Sequence, residues 1–458
     1  HMSFTGWDTP LALLQLELIQ RDYEGHRVPK DLKEQVAALD DERDAMNFGA
    51  VDPLYSALDG LPKDPAFPYV QPNDLEGIRR ERPEGPRRLG TVADADLLDR
   101  FHAAWTGRAA GCALGKPVEG MGIRGQRGMG GRQAIRTYLE NRRQWPLDYY
   151  FSGADVGDNL RIACPQSQRE NIAFMEPDDD IHYTLIALRV LEDFGPGFTW
   201  RNVATAWNTS LPYYAICTAE AQAIMNYNNA VPRKALSDWV TPEYTSTNRN
   251  PYREWIGAQI RADGWGYASA GNPELAAELA FRDACWTHRA NGIYGEMMFA
   301  AIIAAAFVVR DPIELVDIGL SEIPQNCRLA EACRTALAHV PRCEGFDGYM
   351  DWVEEHYGNL SGVHTVNNAL VVIGAMIFGQ MDFHASTCRS VEGGWDTDCN
   401  GATCGSIVGA ANGAIVLNSS LVPPLNDTIK PKVIGFQEVS MTELAGRTLA
   451  VHKAVANA

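Results

Sequence analysis

The sequence predicts an all-α fold, a compact body of many packed helices, and three observations carry that prediction. Segment after segment places apolar residues three and four positions apart, while period-two alternation is scarce. Several of these segments are rich in alanine and glycine, and some are apolar nearly all round, which assigns them to a shared interior where backbones approach closely.

The elements follow in chain order. Residues 1–95 are rich in Pro, Asp and Arg and hold one amphipathic piece, "PLALLQLELIQRDYEG", before a looser region ending "RRERPEGPRRLG". Their apolar content is thin for an independent domain, so they read as an N-terminal arm packing on the core. His1-Met2-Ser3 reads as a cloning scar, which leaves a native leader open.

A helical domain spans 96–430, with "DLLDRFHAAWTGRAAGCAL", "DIHYTLIALRVLEDFG", "NPELAAELAFRDACWTH", "GEMMFAAIIAAAFVV", "DPIELVDIGL", "TVNNALVVIGAMIFG" and "GATCGSIVGAANGAIVL" as its helices. Asn272-Pro273 and Asp311-Pro312 read as N-caps followed by proline at the first helical position. Two long irregular stretches, 121–177 and 230–255, are expected to shape or cover a site. The glycines of "GIRGQRGMGG" lack the GxxxxGK[ST] pattern and follow no strand, so they form no phosphate loop. Residues 431–458 form a C-terminal tail that carries a capping-box pattern, Ser440 with Glu443.

Bulk properties narrow the function. The chain has 458 residues and a formal net charge of −18 without a basic stripe, which opposes binding to nucleic acid or an anionic membrane. No apolar run is long enough to span a bilayer, and the N-terminus lacks the layout of a secretory signal. Ten cysteines occur without CxxC pairs, and several sit in apolar helical stretches as small hydrophobes, so a reducing cytoplasm is expected.

Two acidic knots carry the candidate chemistry. "EPDDDIHYT" holds Asp178, Asp179 and Asp180 just before an apolar helix, and "GGWDTDCNGATCGS" holds Asp396 and Asp398 behind two glycines. Acids at a helix start complement its dipole, but one would serve as a cap. If the knots meet in space, their mutual repulsion demands cations, and hard oxygen ligands suit Mg²⁺, Mn²⁺ or Ca²⁺. His182 reads either as a donor to the first knot or as a histidine on the exposed side of its helix, and His288 as a structural histidine. Trp265, Tyr294 and Trp395 are candidates for stacking on a base or sugar, weighed against ordinary core aromatics.

Five stretches in order, "AAWTGRAAGCALGKPVEGM", "PDDDIHYTLIALRVLED", "GAQIRADGW", "WTHRANGIYGEMMFAAIIAA" and "GGWDTDCNGATCGSIVGAANG", resemble the ADP-ribosylglycohydrolase family over about residues 96–425. That family includes dinitrogenase-reductase-activating glycohydrolase and ADP-ribosylarginine hydrolases. The resemblance implies an all-α fold with two Mg²⁺ ions in a central cleft. It puts the metal ligands at Asp178, Asp179, Asp180, Asp396, Asp398 and Cys399, with Glu119 as the acid near the scissile bond and Asp179 and Asp396 central to activity. It places Arg261 on a loop in or near the ligand site, and His288 at a helix start. Two departures stand out: Asp178 replaces a hydroxyl residue, and Cys399 replaces a Thr or Ser ligand with a thiol that is a poor partner for Mg²⁺.

The expected function is a Mg²⁺-dependent glycosidase acting on an N- or O-ribosyl bond of an ADP-ribosyl or smaller, nucleoside-like small molecule. The alternatives are a member of the fold that binds ADP-ribose or ribosides without turnover, a structural member, and a hydrolase of a non-ribose glycoside. Oligomeric state stays open.

Overall fold

Residues 7–230 and 239–458 are described by the computed structural model. His1-Met2-Ser3 and the 231–238 part of the second long loop lie outside them. Helix dominates, and the strands among the described residues are the two-residue β1 (Thr428–Ile429) and β2 (Val439–Ser440), paired antiparallel.

The arm carries α1 (Pro10–Tyr23), α2 (Lys30–Ala37), α3 (Phe48–Asp59) and α4 (Leu75–Glu81). Thr9 caps α1 by accepting from the Ala12 N–H, with Pro10 preset for the first turn. Leu11, Leu13 and Leu14 pack with Val36, Val51 and Leu58 into a small apolar cluster that reaches the body at Ala219 and Tyr252. Polar anchoring comes from Arg253, which is buried and donates to Glu17 at 2.8 and 2.9 Å and to Glu24 at 2.7 and 3.0 Å. A buried guanidinium needs such saturation to offset its desolvation.

The body begins with α5 (Asp94–Gly115), α6 (Glu119–Arg124) and α7 (Gly131–Asn141). The predicted irregular stretch 121–177 therefore contains a helix, because Ala134, Ile135, Tyr138 and Leu139 bury one face of α7. Next come α8 (Asp179–Phe194), α9 (Trp200–Ser210), α10 (Thr218–Ala230), α11 (Pro242–Thr247), α12 (Ala262–Ala268), α13 (Pro273–Ala284) and α14 (Asn291–Ala306). α14 is buried along its whole length, as its nearly all-apolar sequence requires. The chain continues through α15 (Pro312–Leu320), α16 (Arg328–His339), α17 (Gly345–Tyr357), α18 (Thr365–Phe378), α19 (Phe383–Glu392), α20 (Thr397–Asn412) and α21 (Met441–Ala456).

Both predicted caps form: Asn272 accepts from Leu275 N–H and Asp311 from Glu314 N–H. At Ser440 half of the box forms, since its side chain accepts from the Glu443 N–H while the Glu443 carboxylate accepts from Arg447. The tail beyond it is a helix packed on α5, with Trp105 Nε1 donating to Thr448 Oγ1 at 2.9 Å. No helix among the described residues is long and apolar enough to cross a membrane.

The seam that positions everything else runs between α5 and α20. A Cβ on Gly111 would lie 1.9 Å from Gly401 O, and one on Gly107 would lie 2.2 Å from Gly405 O. Only glycine lets the two backbones touch there. Close approach joins the C-terminal end of α5 to the N-terminal end of α20, where Thr397 Oγ1 donates to Gly115 O at 2.8 Å.

Candidate metal centre

Three chain segments bring carboxylates to that junction. α5 runs into a 3₁₀ turn at Lys116–Val118 and then into Glu119, the first residue of α6. Asp178 caps α8 by accepting from the Asp180 N–H at 2.9 Å, and Asp179 and Asp180 form its first turn. Asp396 precedes α20 and Asp398 sits in its first turn. Asn368 Oδ1 accepts from Asp396 N–H at 3.2 Å and from Asn400 Nδ2 at 2.8 Å, which fixes the entry to α20.

Among the described residues, three overlapping groups place their ligand atoms within 4.8 Å of one another: Cys112 with Asp178 and Asp180, Asp180 with Asp398 and Cys399, and Glu119 with Asp396 and Asp398. The two acidic knots thus meet, with Asp398 shared between two groups. Asp180 is fully enclosed, and Asp396 and Asp398 expose 3% each. Asp180 Oδ2, Asp396 Oδ1 and Asp398 Oδ1 are buried with no hydrogen-bond partner. Buried carboxylate oxygens without donors are costly, and a hard divalent cation is the ligand that matches such a set.

The protein's own cations reach only part of the cluster. Arg108, buried in α5, donates to Asp180 O at 2.7 and 3.0 Å, lies 3.4 Å from Asp180 Oδ1, and pairs with Asp263 at 2.9 Å. The Lys116 ammonium pairs with Asp178 Oδ2. Burial pushes Asp178 up, but Lys116 and the Asp180 N–H outweigh it and hold the carboxyl below its ordinary range. Its neighbours go the other way. The charge of Asp398, then burial, pushes Glu119 to about 9. Burial, then Asp178 and Asp398, pushes Asp179 to about 8, while burial and Asp178 push Asp398 to about 6. Burial raises Asp180 and Asp396 well above the carboxylate range. Such a site resists full ionisation until a cation arrives.

Cys399 lies inside one of these groups, yet burial and the surrounding acids raise its thiol well above the ordinary cysteine range. It stays a soft, protonated neighbour of hard ligands. Trp395 is half-buried, takes a left-handed φ of 53°, and donates its N–H to Gly122 O at 3.2 Å, directly before Asp396.

Three expected ligand-binding side chains lie elsewhere. Arg261 and Trp265 expose 1% each and Tyr294 none. Arg261 is saturated by Glu220 at 2.7 Å and Asp283 at 2.8 Å, so its charge is consumed inside the core. Trp265 stacks on Phe198 at 4.8 Å, and the Tyr294 hydroxyl donates to Pro72 O in the arm. Each is structural, because no ligand reaches it without opening the interior.

His182 is buried rather than on an exposed face: its Nε2 accepts the Lys432 N–H at 2.9 Å, and burial pushes it down to about 4. His288 is fully buried against Thr287 Oγ1 at 2.7 Å, as a structural histidine is expected to be. Lys116, Arg108 and Asn368 are the site residues that the motifs did not single out. The only sequence signal for Lys116 was its place in "GKPVEG".

An all-α body that gathers buried acids from three chain segments into groups able to hold a metal ion defines the class of fold and site. The model of the ADP-ribosylglycohydrolase family matches residues 93–454, and the chain belongs to that family, whose members are glycosidic hydrolases. The match takes in α21 and leaves α1 to α4 outside. No curated protein matches significantly. Among solved structures, a chain described as "ADP-ribosylglycohydrolase-related protein complex" is similar at 19% identity and a TM-score of 0.49, over 79% of this chain and 99% of that one.

Proposed function

We propose that this protein is a Mg²⁺-dependent glycosidase that hydrolyses an N- or O-linked ribosyl bond, in an ADP-ribosyl or smaller, nucleoside-like substrate. The observation that carries the reading is that Asp180, Asp396 and Asp398 each hold a buried carboxylate oxygen without a donor, in two acidic groups that share Asp398. Asp180, Asp396 and Asp398 would hold the metal, with Asp178 and Asp179 flanking them. A bound divalent ion supplies positive charge that orients vicinal ribose hydroxyls and acidifies a water.

The chain's own residues divide the remaining work. Glu119, grouped with Asp396 and Asp398, is placed to hand a proton to a departing group. Asn368 fixes the backbone of Asp396, so this ligand needs little reorganisation on binding. Trp395, at the mouth of the α20 turn, offers a ring face to a base or sugar.

Hydrolysis of a panel of ADP-ribosyl-arginine, ADP-ribosyl-serine, nucleosides and other glycosides, with Mg²⁺ and in EDTA, tests the reading. Turnover of at least one ribosyl compound, abolished by EDTA and by Asp398→Asn, is expected. Full turnover in EDTA refutes the metal requirement, and Mg²⁺ binding without turnover of anything in the panel favours a binding protein.

A further inference from the structure

A second cavity lies between the arm and the body, and none of its lining residues belongs to the acid groups of the metal centre. Its volume of about 890 Å³ is that of a small-molecule site. The part of its wall that the arm supplies, from Arg21 to Asp74, lies outside the residues that the family model matches.

Arg289 enters this cavity from the body, just before α14, and exposes only 8% of its surface. Burial pushes it down from the ordinary arginine range, and among the described residues its guanidinium makes no hydrogen bond and no ion pair. Glu243 and Glu24 act on it only at longer range. Other buried arginines of this fold are saturated, Arg253 by Glu17 and Glu24 and Arg261 by Glu220 and Asp283. Arg289 departs from that pattern, at the cost that an unpaired buried charge carries.

The rest of the lining is richer in free donors than in free acceptors. Glu24 is taken by Arg253, Asp59 pairs with Arg21 at 3.2 Å, and Asp74 caps α4 by accepting the Gly77 N–H at 2.7 Å. Glu243 is left, and it is exposed. From the arm, Asn73 Oδ1 accepts the Ala290 N–H at 2.7 Å and Gln71 Oε1 accepts from Asn291 Nδ2 at 2.9 Å, while the amide nitrogens of both have no acceptor among the described residues. The Lys63 ammonium, 4.5 Å over the Phe67 ring, has no acid partner there either. Half-buried Trp200 and Phe281 add apolar wall beside these donors.

We propose that this cavity binds a small organic anion, with Arg289 as the fork that receives its carboxylate or phosphate, Asn73 and Gln71 as further donors, and Trp200 and Phe281 against an apolar or aromatic remainder. A planar guanidinium with all its donors free matches an oxyanion in two-point contact. The ligand would touch arm and body together, which gives the arm a role that the acid cleft does not.

Calorimetry tests it with inorganic phosphate, phenyl phosphate and benzoate. The full chain is stripped of metal with EDTA and dialysed, so that no ion at the acid groups can ligate the probe. One phenyl phosphate or benzoate per chain is expected, and whichever binds more tightly assigns the oxyanion as phosphate or carboxylate. Arg289→Met should weaken binding by at least about 10-fold, and Lys453→Met, outside the lining, should leave it unchanged. Without ligand, Arg289→Met should melt above its parent, because it removes an unpaired buried charge; an arginine that merely holds the fold together would shift the melt the other way. Arg289→Lys keeps the charge without the planar fork, so it should fold like the parent and bind more weakly. Three probes that do not bind overturn the proposal, as does binding that survives Arg289→Met or an Arg289→Met variant that is destabilised or fails to fold. Phenyl phosphate bound no more tightly than inorganic phosphate overturns the part given to Trp200 and Phe281.

Discussion

Gly111→Ala probes whether the α5/α20 seam sets the geometry of the acid cleft. The new Cβ would lie 1.9 Å from Gly401 O, a backbone atom that no rotamer change can move aside. A comfortable carbon–oxygen contact is about 3.4 Å, so the seam must open by about 1.5 Å at that point. Gly107 against Gly405 O, and Gly115 against Thr397 O at 2.1 Å, share the same close approach, so the opening propagates along both helices. Overpacking of a core seam costs about 1–3 kcal/mol, and a clash between two backbones belongs at the upper end. Lys116 and Glu119 come directly after α5, whereas Asp396 precedes α20 and Asp398 lies in its first turn, so the same movement draws the two halves of the cleft apart. Displaced supporting structure weakens metal binding by about 10- to 100-fold. Urea unfolding followed by circular dichroism should show a loss of about 3 kcal/mol, and calorimetry should show Mg²⁺ affinity lower by at least about 10-fold. Unchanged stability would refute the packing argument. A destabilised variant with unchanged Mg²⁺ affinity would refute the link from seam to cleft.

Gly446 in α21 is the matched control: nothing lies within 4 Å of its absent Cβ, so Gly446→Ala should stabilise the fold by about 0.5–1 kcal/mol in the same urea titration. Mg²⁺ is expected to raise the melting temperature and Asp398→Asn to abolish that rise, while making the EDTA-treated protein more stable than its parent, because Asp398 is the charge that raises Glu119 most. Glu119 at about 9, Asp179 at about 8 and Asp398 at about 6 all lie above their unfolded values, so between these limits the folded chain binds more protons than the unfolded one. Their contribution to metal-free stability is full below about pH 4 and is lost as the pH rises toward 9; urea titrations at stepped pH in EDTA should show this fall, and saturating Mg²⁺ should flatten it. Arg253→Met leaves the buried Glu17 and the half-buried Glu24 without their guanidinium, costs about 3–5 kcal/mol, and should expose the arm to limited proteolysis before the body unfolds.

The fold was legible wherever its cause is local. Caps such as Asn272 and Asp311 act within one turn, and the apolar faces of α5, α8 and α14 repeat at helical spacing, so their positions could be read from neighbouring letters. α7 escaped because the glycines of "GIRGQRGMGG" immediately before it dominate the stretch, although Ala134, Ile135, Tyr138 and Leu139 do mark a helical face. The arm's separate apolar cluster was also hidden, since Leu11 meets Val51 only after α1 and α3 fold against each other.

The site divides along the same line. Aspartates one residue apart in a glycine-flanked turn are visible as a motif, but partners depend on contacts between distant segments. Asp178 and Lys116 stand 62 residues apart, and nothing near either one announces that the two charges cancel. Arg261 shows the converse. In the sequence a core arginine and a ligand-binding arginine look alike; what separates them is whether Glu220 and Asp283 arrive from α10 and α13 to consume its charge. Trp265 and Tyr294 fail as ligand platforms for the related reason that an alanine-rich interior closes over its aromatics. Charge compensation is therefore the property of this cleft that only the folded chain reveals, and it decides which acids remain free for a cation.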